Sequence, residues 1–390
     1  MPNTYIGIEN AIPFIVSLKK NGWNIYAIFK QLADLERLVR APDYYEILKT
    51  NSKIISLNLE PLSRKSIVRI IKTLIPALTK IVFTSRPRII TMGSTDDILL
   101  KMIKGISFFK GKYYLLTSLN APYDYSFYKE YYLDALADPV KRIIIGKNPA
   151  IKENPPGKYL GTLLMHSTND AKRSDLFGLP KERIIIGYPK LRDEWLEYLK
   201  DYKIAWNDEI LEKEKHVVSI LVKNPEVYFF DKTNSCKKFL KEIIVATRKH
   251  YKDSLIVIKP KPTKYGKKDV WLGDVLKKIN DNRIIVNYIP NPFLARKTLL
   301  VFLVGRTSAY FDYVINEIPC IEHINYCEDA LKIYKRGSCL PDYGVRRTST
   351  MDELEKAVLE AKKGTFKVMS KAKLRKITAH TDSKDVFNGL

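Results

Sequence analysis

The sequence predicts an α/β protein with two Rossmann-like, doubly wound domains. Three observations predict it. Short runs rich in Ile and Val, apolar at consecutive positions, recur along the whole chain; strands buried on both faces read this way, and parallel sheets supply them. Amphipathic stretches of helical length separate the runs, and alternating strand and helix points to βαβ units. The runs fall into two sets on either side of the polar segment EYLKDYKIAWNDEILEKEKH at 197–216, and 390 residues suffice for two domains with a core each.

In chain order, IENAIPFIVSLKKNGW at 8–23 reads as a loop and a helix, with Glu9 and Asn10 just ahead of the helix. The first set of strands follows at 24–29, 53–58, 88–93, 113–119, 162–167 and 183–189. Within it, residues 165–191 read as strand, turn, short helix, Gly-Leu-Pro turn and strand. The second set lies at 217–222, 255–260, 283–289, 299–305 and 319–324. Between its first two strands, NSCKKFLKEIIVATRKHY at 234–251 places Phe239, Leu240, Ile243, Ile244 and Thr247 on one helical face, with lysines opposite. The expected organisation is a domain over 1–200, a second over 201–350, and a C-terminal helix and basic tail over 351–390.

Composition narrows the function. The chain is 45% hydrophobic and 28% charged, which is globular. No stretch approaches the ~20 apolar residues of a membrane span, and the first residues lack a basic-then-apolar export pattern, so a cytoplasmic location is expected. Cys236, Cys320, Cys327 and Cys339 show no C-x-x-C spacing and the five histidines no H-E-x-x-H, so a disulfide framework or zinc site is not expected, and neither is any cofactor. The net charge of +24 attracts polyanions: nucleic acid, anionic lipid or phosphorylated substrates.

Four places carry candidate chemistry. In a doubly wound sheet, ligands bind at the carboxyl ends of strands, where LIVIKPKP places Lys259 and Lys261. Pro260 and Pro262 remove backbone donors and force the chain out of the sheet, so these lysines are positioned to meet a phosphate, unless they merely decorate a solvated exit loop. In VFLVGRTSAYFDYVINEIPCIEHI at 301–324, Thr307 or Ser308 suits the N-cap of a helix over about 309–316, whose first-turn N–H groups would bind an anion with Arg306 alongside; a plain cap is the commoner case. Asp231, in VYFFDKTNSCKKFL, suits a nucleophile, base or hydroxyl ligand, and equally a cap. In the first domain, His166 falls at a strand end where a titrating imidazole is useful, although a lone histidine is more often a packing residue. Glu9 is the carboxylate candidate of that domain.

Absences help. There is no G-x-x-x-x-G-K-[ST], no G-x-G-x-x-G, no D-x-D and no G-x-S-x-G, which removes the main support for P-loop NTPases, dinucleotide oxidoreductases and metal-chelating glycosyltransferases.

Against this background IVIKPKP is similar to the strand and Lys-Pro-His-Pro segment of bacterial sialyltransferases, capsule Kdo transferases and polyglycerol-phosphate polymerases. VGRTSAYFDYVINEIPCIEHI resembles their later strand, Ser/Thr turn, helix, Pro and strand, and ERIIIGYPKL their Gly-x-Pro segment. The layout resembles the GT-B fold, two domains facing a cleft, with acceptor on the N-terminal side and nucleotide sugar on the C-terminal side. The resemblance implies a metal-independent glycosyltransferase of lipopolysaccharide or capsule assembly, with CMP-Kdo or a similar CMP-sugar as donor and a glycan as acceptor, lipid-linked or free. It implies that Lys259, Lys261, Arg306, Thr307 and Ser308 hold the donor phosphate, with Asp231, Glu9 and His166 as catalytic candidates. In retaining β-Kdo transferases a C-terminal-domain carboxylate is the nucleophile, and Asp231 matches by location. Lys261 replaces the family's histidine, so it acts as a fixed charge rather than a titrating acid.

The surplus charge then suggests a peripheral position at the inner face of the plasma membrane. SRKSIVRIIKTLIPALTKIVF at 63–83 and KKGTFKVMSKAKLRK at 362–376 are the candidate contacts with anionic lipid. Two other readings stay open: a CDP-glycerol-type glycerophosphotransferase, and a non-catalytic nucleic-acid-binding protein. The 24 tyrosines could stack bases, but they concentrate in segments such as YDYSFYKEYY at 123–132 rather than along a basic stripe, so nucleic acid is not the expected partner.

Overall fold

A computed structural model of the chain describes residues 5–29, 42–56, 79, 88–92, 112–116, 162–167, 182–204, 209–222, 233–260, 270–305, 307–326 and 343–378. The described residues form two compact units. One takes those through Tyr202 together with Thr378, and the other runs from Lys203 to Ile377.

The first unit contains α1 (Tyr5–Lys20), β1 (Tyr26–Phe29), α2 (Pro42–Asn51), β2 (Lys53–Ser56), β3 (Arg88–Met92), β4 (Lys112–Leu116), β5 (Thr162–Met165), β6 (Arg183–Ile185), a 3-10 turn at Pro189–Leu191 and α3 (Asp193–Asp201). Strands β1 and β2 pair in parallel, and β3, β4, β5 and β6 form a second parallel sheet in sequence order. Phe14 and Leu18 of α1 pack with Tyr114, Leu116, Leu164 and Ile186. Every residue from Ala11 to Leu18 is buried, as expected of a helix apolar on all sides.

Helix α1 corrects one expectation: it begins at Tyr5, so Glu9 and Asn10 lie inside it rather than ahead of it. Proline favours the first turn of a helix, which argues for a start just before Pro13. Burial of Glu9 and of residues 11–18 instead accompanies a helix that runs through Pro13, and the Ser17 hydroxyl donates to the Pro13 carbonyl at 3.0 Å.

The second unit contains α4 (Glu209–Lys213), β7 (Val217–Val222), α5 (Thr233–His250), β8 (Leu255–Pro260), α6 (Val270–Ile279), β9 (Ile284–Val286), α7 (Asn291–Ala295), β10 (Thr298–Leu303), α8 (Tyr310–Val314), β11 (Cys320–His323), β12 (Arg346–Thr348), α9 (Met351–Lys362) and α10 (Lys371–Ile377). Its sheet is parallel throughout, in the order β12-β11-β10-β7-β8-β9. Numbered within the unit, this is the 3-2-1-4-5-6 doubly wound order. Both faces are covered. Val218, Ile220, Ile256, Ile258, Leu300 and Phe302 meet α5, α6 and α9 through Phe239, Leu272 and Leu354. On the opposite face Val217, Leu255 and Val257 meet Leu211 of α4 and Leu294 of α7. The five positions read as the inner stripe of α5, including Thr247, are all buried. Cys236 and Cys320 are free, buried thiols; burial pushes the Cys236 thiol up to about 12.

Candidate functional site

In the 3-2-1-4-5-6 order the connections reverse direction between β7 and β10, and the crevice outside their carboxyl ends is where such sheets take ligands. The strand register places Phe302, Ile220 and Ile258 in one row across β10, β7 and β8. Lys259 stands one residue past that row and Gly305 three. Since β8 and β10 both flank β7, they lie about 10 Å apart. The chain therefore brings Lys259 and the Gly305 turn to the same end of the sheet, on either side of β7.

Lys259 is not the solvated lysine of an exit loop. It lies on the same face of β8 as Leu255 and Val257 and is 4% exposed, and Pro260, paired with Val222, ends the strand. The strand holds it at the end of the sheet where such folds take ligands, rather than on a free surface.

The turn after β10 differs from expectation. Helix α8 has only five residues, its N-cap is Ala309, and no side chain caps it. Thr307 Oγ1 instead accepts the Ala309 N–H at 3.3 Å, a local side-chain turn that competes with capping. The N–H groups of Tyr310, Phe311 and Asp312 bond the carbonyls of Thr307, Ser308 and Ala309. The first-turn amides expected to bind an anion are thus already engaged, and any phosphate role of Thr307 and Ser308 rests on their hydroxyls. At its far end α8 gives way to a turn in which Glu317 takes φ 56°.

A buried relay fixes this turn. Gly305, itself at φ 54°, donates its N–H to the Tyr326 hydroxyl at 2.7 Å, and that hydroxyl donates to Glu322 Oε1 at 2.9 Å. Glu322 is fully buried beside Arg347, whose Nε lies 3.9 Å from Oε2. Sequence reasoning missed Tyr326, Glu322 and Arg347; the one available signal was a carboxylate inside the apolar run of β11. Asp231, Lys261 and Arg306 lie outside the described residues.

In the first unit the segment following β6 organises both site candidates. His166 and Ser167 follow β5 directly and are buried. His166 Nδ1 lies 3.1 Å from the Gly187 carbonyl, and its ring stacks on Tyr188 at 5.8 Å. A carbonyl only accepts, so Nδ1 carries the proton and Nε2 is the basic nitrogen of the neutral ring. Gly187 takes φ 72°, which glycine adopts without a Cβ penalty. Three residues on, the Lys190 ammonium sits 3.6 Å from Glu9 Oε1, with both side chains buried, and the Tyr44 hydroxyl donates to the same oxygen at 3.2 Å. Fully buried Arg192 donates to the Ile186 carbonyl. The Tyr202 hydroxyl donates to Asp43 Oδ1 at 3.2 Å, and burial, reinforced by the Asp43 charge, pushes that phenol well above its usual range. Lys190 and Tyr44 were not singled out from sequence, because contacts 181 and 35 residues apart leave no local pattern; Arg192 was not singled out either.

No protein-family model and no curated protein matches this chain. Solved structures do. UDP-N-acetylglucosamine 2-epimerase from Rickettsia bellii is 14% identical with a TM-score of 0.52, over 99% of this chain and 93% of that one. UDP-GlcNAc 2-epimerase from Methanocaldococcus jannaschii, solved with UDP-GlcNAc and UDP, is 14% identical with a TM-score of 0.51, over 96% of each chain. A spinosyn forosaminyltransferase aligns over 97% of this chain and 94% of its own, at 11% identity and a TM-score of 0.44. At such identities the two epimerases establish the fold: two Rossmann-like domains in the GT-B architecture.

Proposed function

We propose that the chain is a metal-independent glycosyltransferase that moves a sugar from a nucleotide donor to a glycan acceptor. CMP-Kdo or a similar CMP-sugar is the preferred donor, lipopolysaccharide or capsule synthesis the preferred setting, and a lipid-linked glycan at the inner membrane face the preferred acceptor. The reading is supported above all by the switch-point end of the second unit's sheet, where buried Lys259 and the turn that begins at Gly305 lie on either side of β7. As the glycosidic bond breaks, its electrons pass to the phosphate oxygen of the departing nucleotide. Lys259 and the hydroxyls of Thr307 and Ser308, with Lys261 and Arg306 close to them in sequence, would stabilise that charge. A CMP-sugar presents one phosphate, a fitting load for so small a set. Asp231 would trap the oxocarbenium-like centre or activate the acceptor hydroxyl. In the first unit Glu9 and the basic Nε2 of His166 are the proton-handling candidates.

The test is a thermal-shift series with CMP, CDP, UDP, GDP and a single-stranded oligonucleotide, with and without EDTA. A selective, EDTA-insensitive response to CMP supports the reading. A CDP-selective response turns it toward glycerophosphate transfer, and a salt-sensitive oligonucleotide response alone overturns it.

A second reading follows from the two epimerase structures. A UDP-selective response, with conversion of UDP-GlcNAc to its C2 epimer in the absence of any acceptor, would make this chain an epimerase rather than a transferase.

A further inference from the structure

The end of the second unit carries a surface that lies outside its sheet. Residues 362–376 contain seven cations, Lys362, Lys363, Lys367, Lys371, Lys373, Arg375 and Lys376, and no acid. The segment is anchored from beneath. Phe366, Met369 and Leu374 are buried, and Arg346 lies over the Phe366 ring at 5.4 Å. In α10 the inward positions are 371, 374 and 375, with Thr378 beyond the helix, so Lys373, Lys376 and Ile377, spaced i, i+3 and i+4, share the outer stripe. Ile377 is 40% exposed on that stripe, and Val368, beside exposed Lys367, is 38% exposed. Exposed apolar side chains set among exposed lysines are a combination that burial within this chain does not explain.

Neighbouring carboxylates do not neutralise the patch. In α9 Glu355 pairs with Lys249, Glu360 with Arg346 at 3.1 Å, and Glu353 closes the capping box at Thr350. Lys363, Lys367, Lys373 and Lys376 are exposed, and none has an ion-pair partner among the described residues. Lys362 is turned aside, its ammonium 5.1 Å from the Tyr251 ring centre.

We infer that the surface formed by residues 363–377 docks on an anionic lipid bilayer, with the four lysines at the headgroups and Val368 and Ile377 entering the interface. Reversible membrane binding needs two signals, and this surface combines a polybasic cluster with apolar insertion. Each lysine near an anionic surface strengthens partitioning about fivefold, so four together contribute on the order of several hundredfold. Charge complementarity points to a polyanion, and the exposed large apolar side chains here, Val368 and Ile377, are aliphatic, which favours lipid over nucleic acid, whose single strands are held by aromatic stacking. The inference stands apart from the transferase reading, which nucleotides test and vesicles do not.

The experiment is co-sedimentation of the full chain with phosphatidylcholine vesicles, with vesicles that also contain phosphatidylglycerol, and with a single-stranded oligonucleotide in competition. Binding is expected to the anionic vesicles and not to the neutral ones, weakening as salt rises. Replacing Lys363, Lys367, Lys373 and Lys376 by Gln is expected to weaken it by on the order of a hundredfold or more. A charge-matched control replaces the exposed Lys213, Lys215, Lys241 and Lys252 by Gln and is expected to retain most of the binding. Val368→Ser with Ile377→Ser is expected to remove the part that survives high salt. Thermal melts of each variant show whether the fold is intact. The inference is overturned if intact wild-type protein ignores anionic vesicles, if the control set loses as much binding as the first, or if only the oligonucleotide binds and the four-lysine variant loses it.

Discussion

The Tyr326 hydroxyl receives the Gly305 N–H at 2.7 Å and passes its own proton toward buried Glu322 at 2.9 Å. A residue on the exit from β11 thereby fixes the backbone at the exit from β10. Tyr326→Phe keeps the ring and removes the acceptor for one buried N–H and the donor for one buried carboxylate. The expected cost is about 2 kcal/mol in urea unfolding, together with weaker binding of the nucleotide that stabilises the wild type. If nucleotide affinity is unchanged while stability falls, the relay supports the sheet and not the ligand turn.

Lys259 gives the sharper separation of binding from folding. Lys259→Met keeps the apolar stem beside Val257 and Leu255 and removes the charge from a strand end. Loss of one charge-assisted contact to phosphate corresponds to about 1.5–3 kcal/mol, a tenfold or greater rise in nucleotide Kd. The melting temperature without ligand is expected to stay within a few degrees of wild type. Calorimetric titration with CMP checks the first quantity and a thermal melt the second.

These elements differ in how far they could be read in advance. The strands β7, β8 and β10 were legible because burial on both faces writes itself as a near-continuous apolar run, and Lys259 because two prolines and two lysines end such a run. Strand β12 was not. It is three residues long, carries Arg346 and Arg347, and takes its place from β11, where Arg347 stands in register with Glu322. The order that puts β10 beside β7 is equally absent from local pattern, since crossover connections decide it. In α1, tertiary burial overrode the proline signal and drew Glu9 inside the helix. Its partner Lys190 lies in a short 3-10 turn that has no periodicity to detect.

The Glu9–Lys190 pair has a testable asymmetry. Both charges are buried and 3.6 Å apart, so removing one takes a buried counter-charge from the other. Glu9→Gln and Lys190→Met are each expected to destabilise the protein by about 3 kcal/mol, and the double variant by clearly less than the sum. Urea unfolding of the four species closes the cycle. Glu9 as a proton-handling group adds a second expectation: the double variant regains stability without regaining transfer activity once a donor and acceptor are in hand. Recovery of both would reduce the pair to a structural tie.

Arg248 ties the end of α5 to the strands beneath it: Nε donates to Asp281 Oδ2 at 2.6 Å, Nη1 to the Ser254 carbonyl at 2.7 Å, and Nη2 to the Arg283 carbonyl at 3.0 Å. Arg283 in turn pairs with Glu214. Partial burial pulls the Asp281 and Glu214 carboxyls upward. For Asp281 this is outweighed by the Arg248 hydrogen bond and the Arg283 backbone N–H, and for Glu214 by the His216 N–H and the Arg283 side chain, so both lie below their ordinary values. A carboxyl more acidic in the folded than in the unfolded chain contributes stability that is complete above the unfolded value, about 4. That contribution fades as pH falls through the folded values. The urea midpoint of the second unit is therefore expected to drop below about pH 4, and Asp281→Asn to lie below wild type at neutral pH with the gap narrowing as acid is added. A gap of constant size down to pH ~3 would mean that Asp281 acts through packing alone and that its charge contributes nothing.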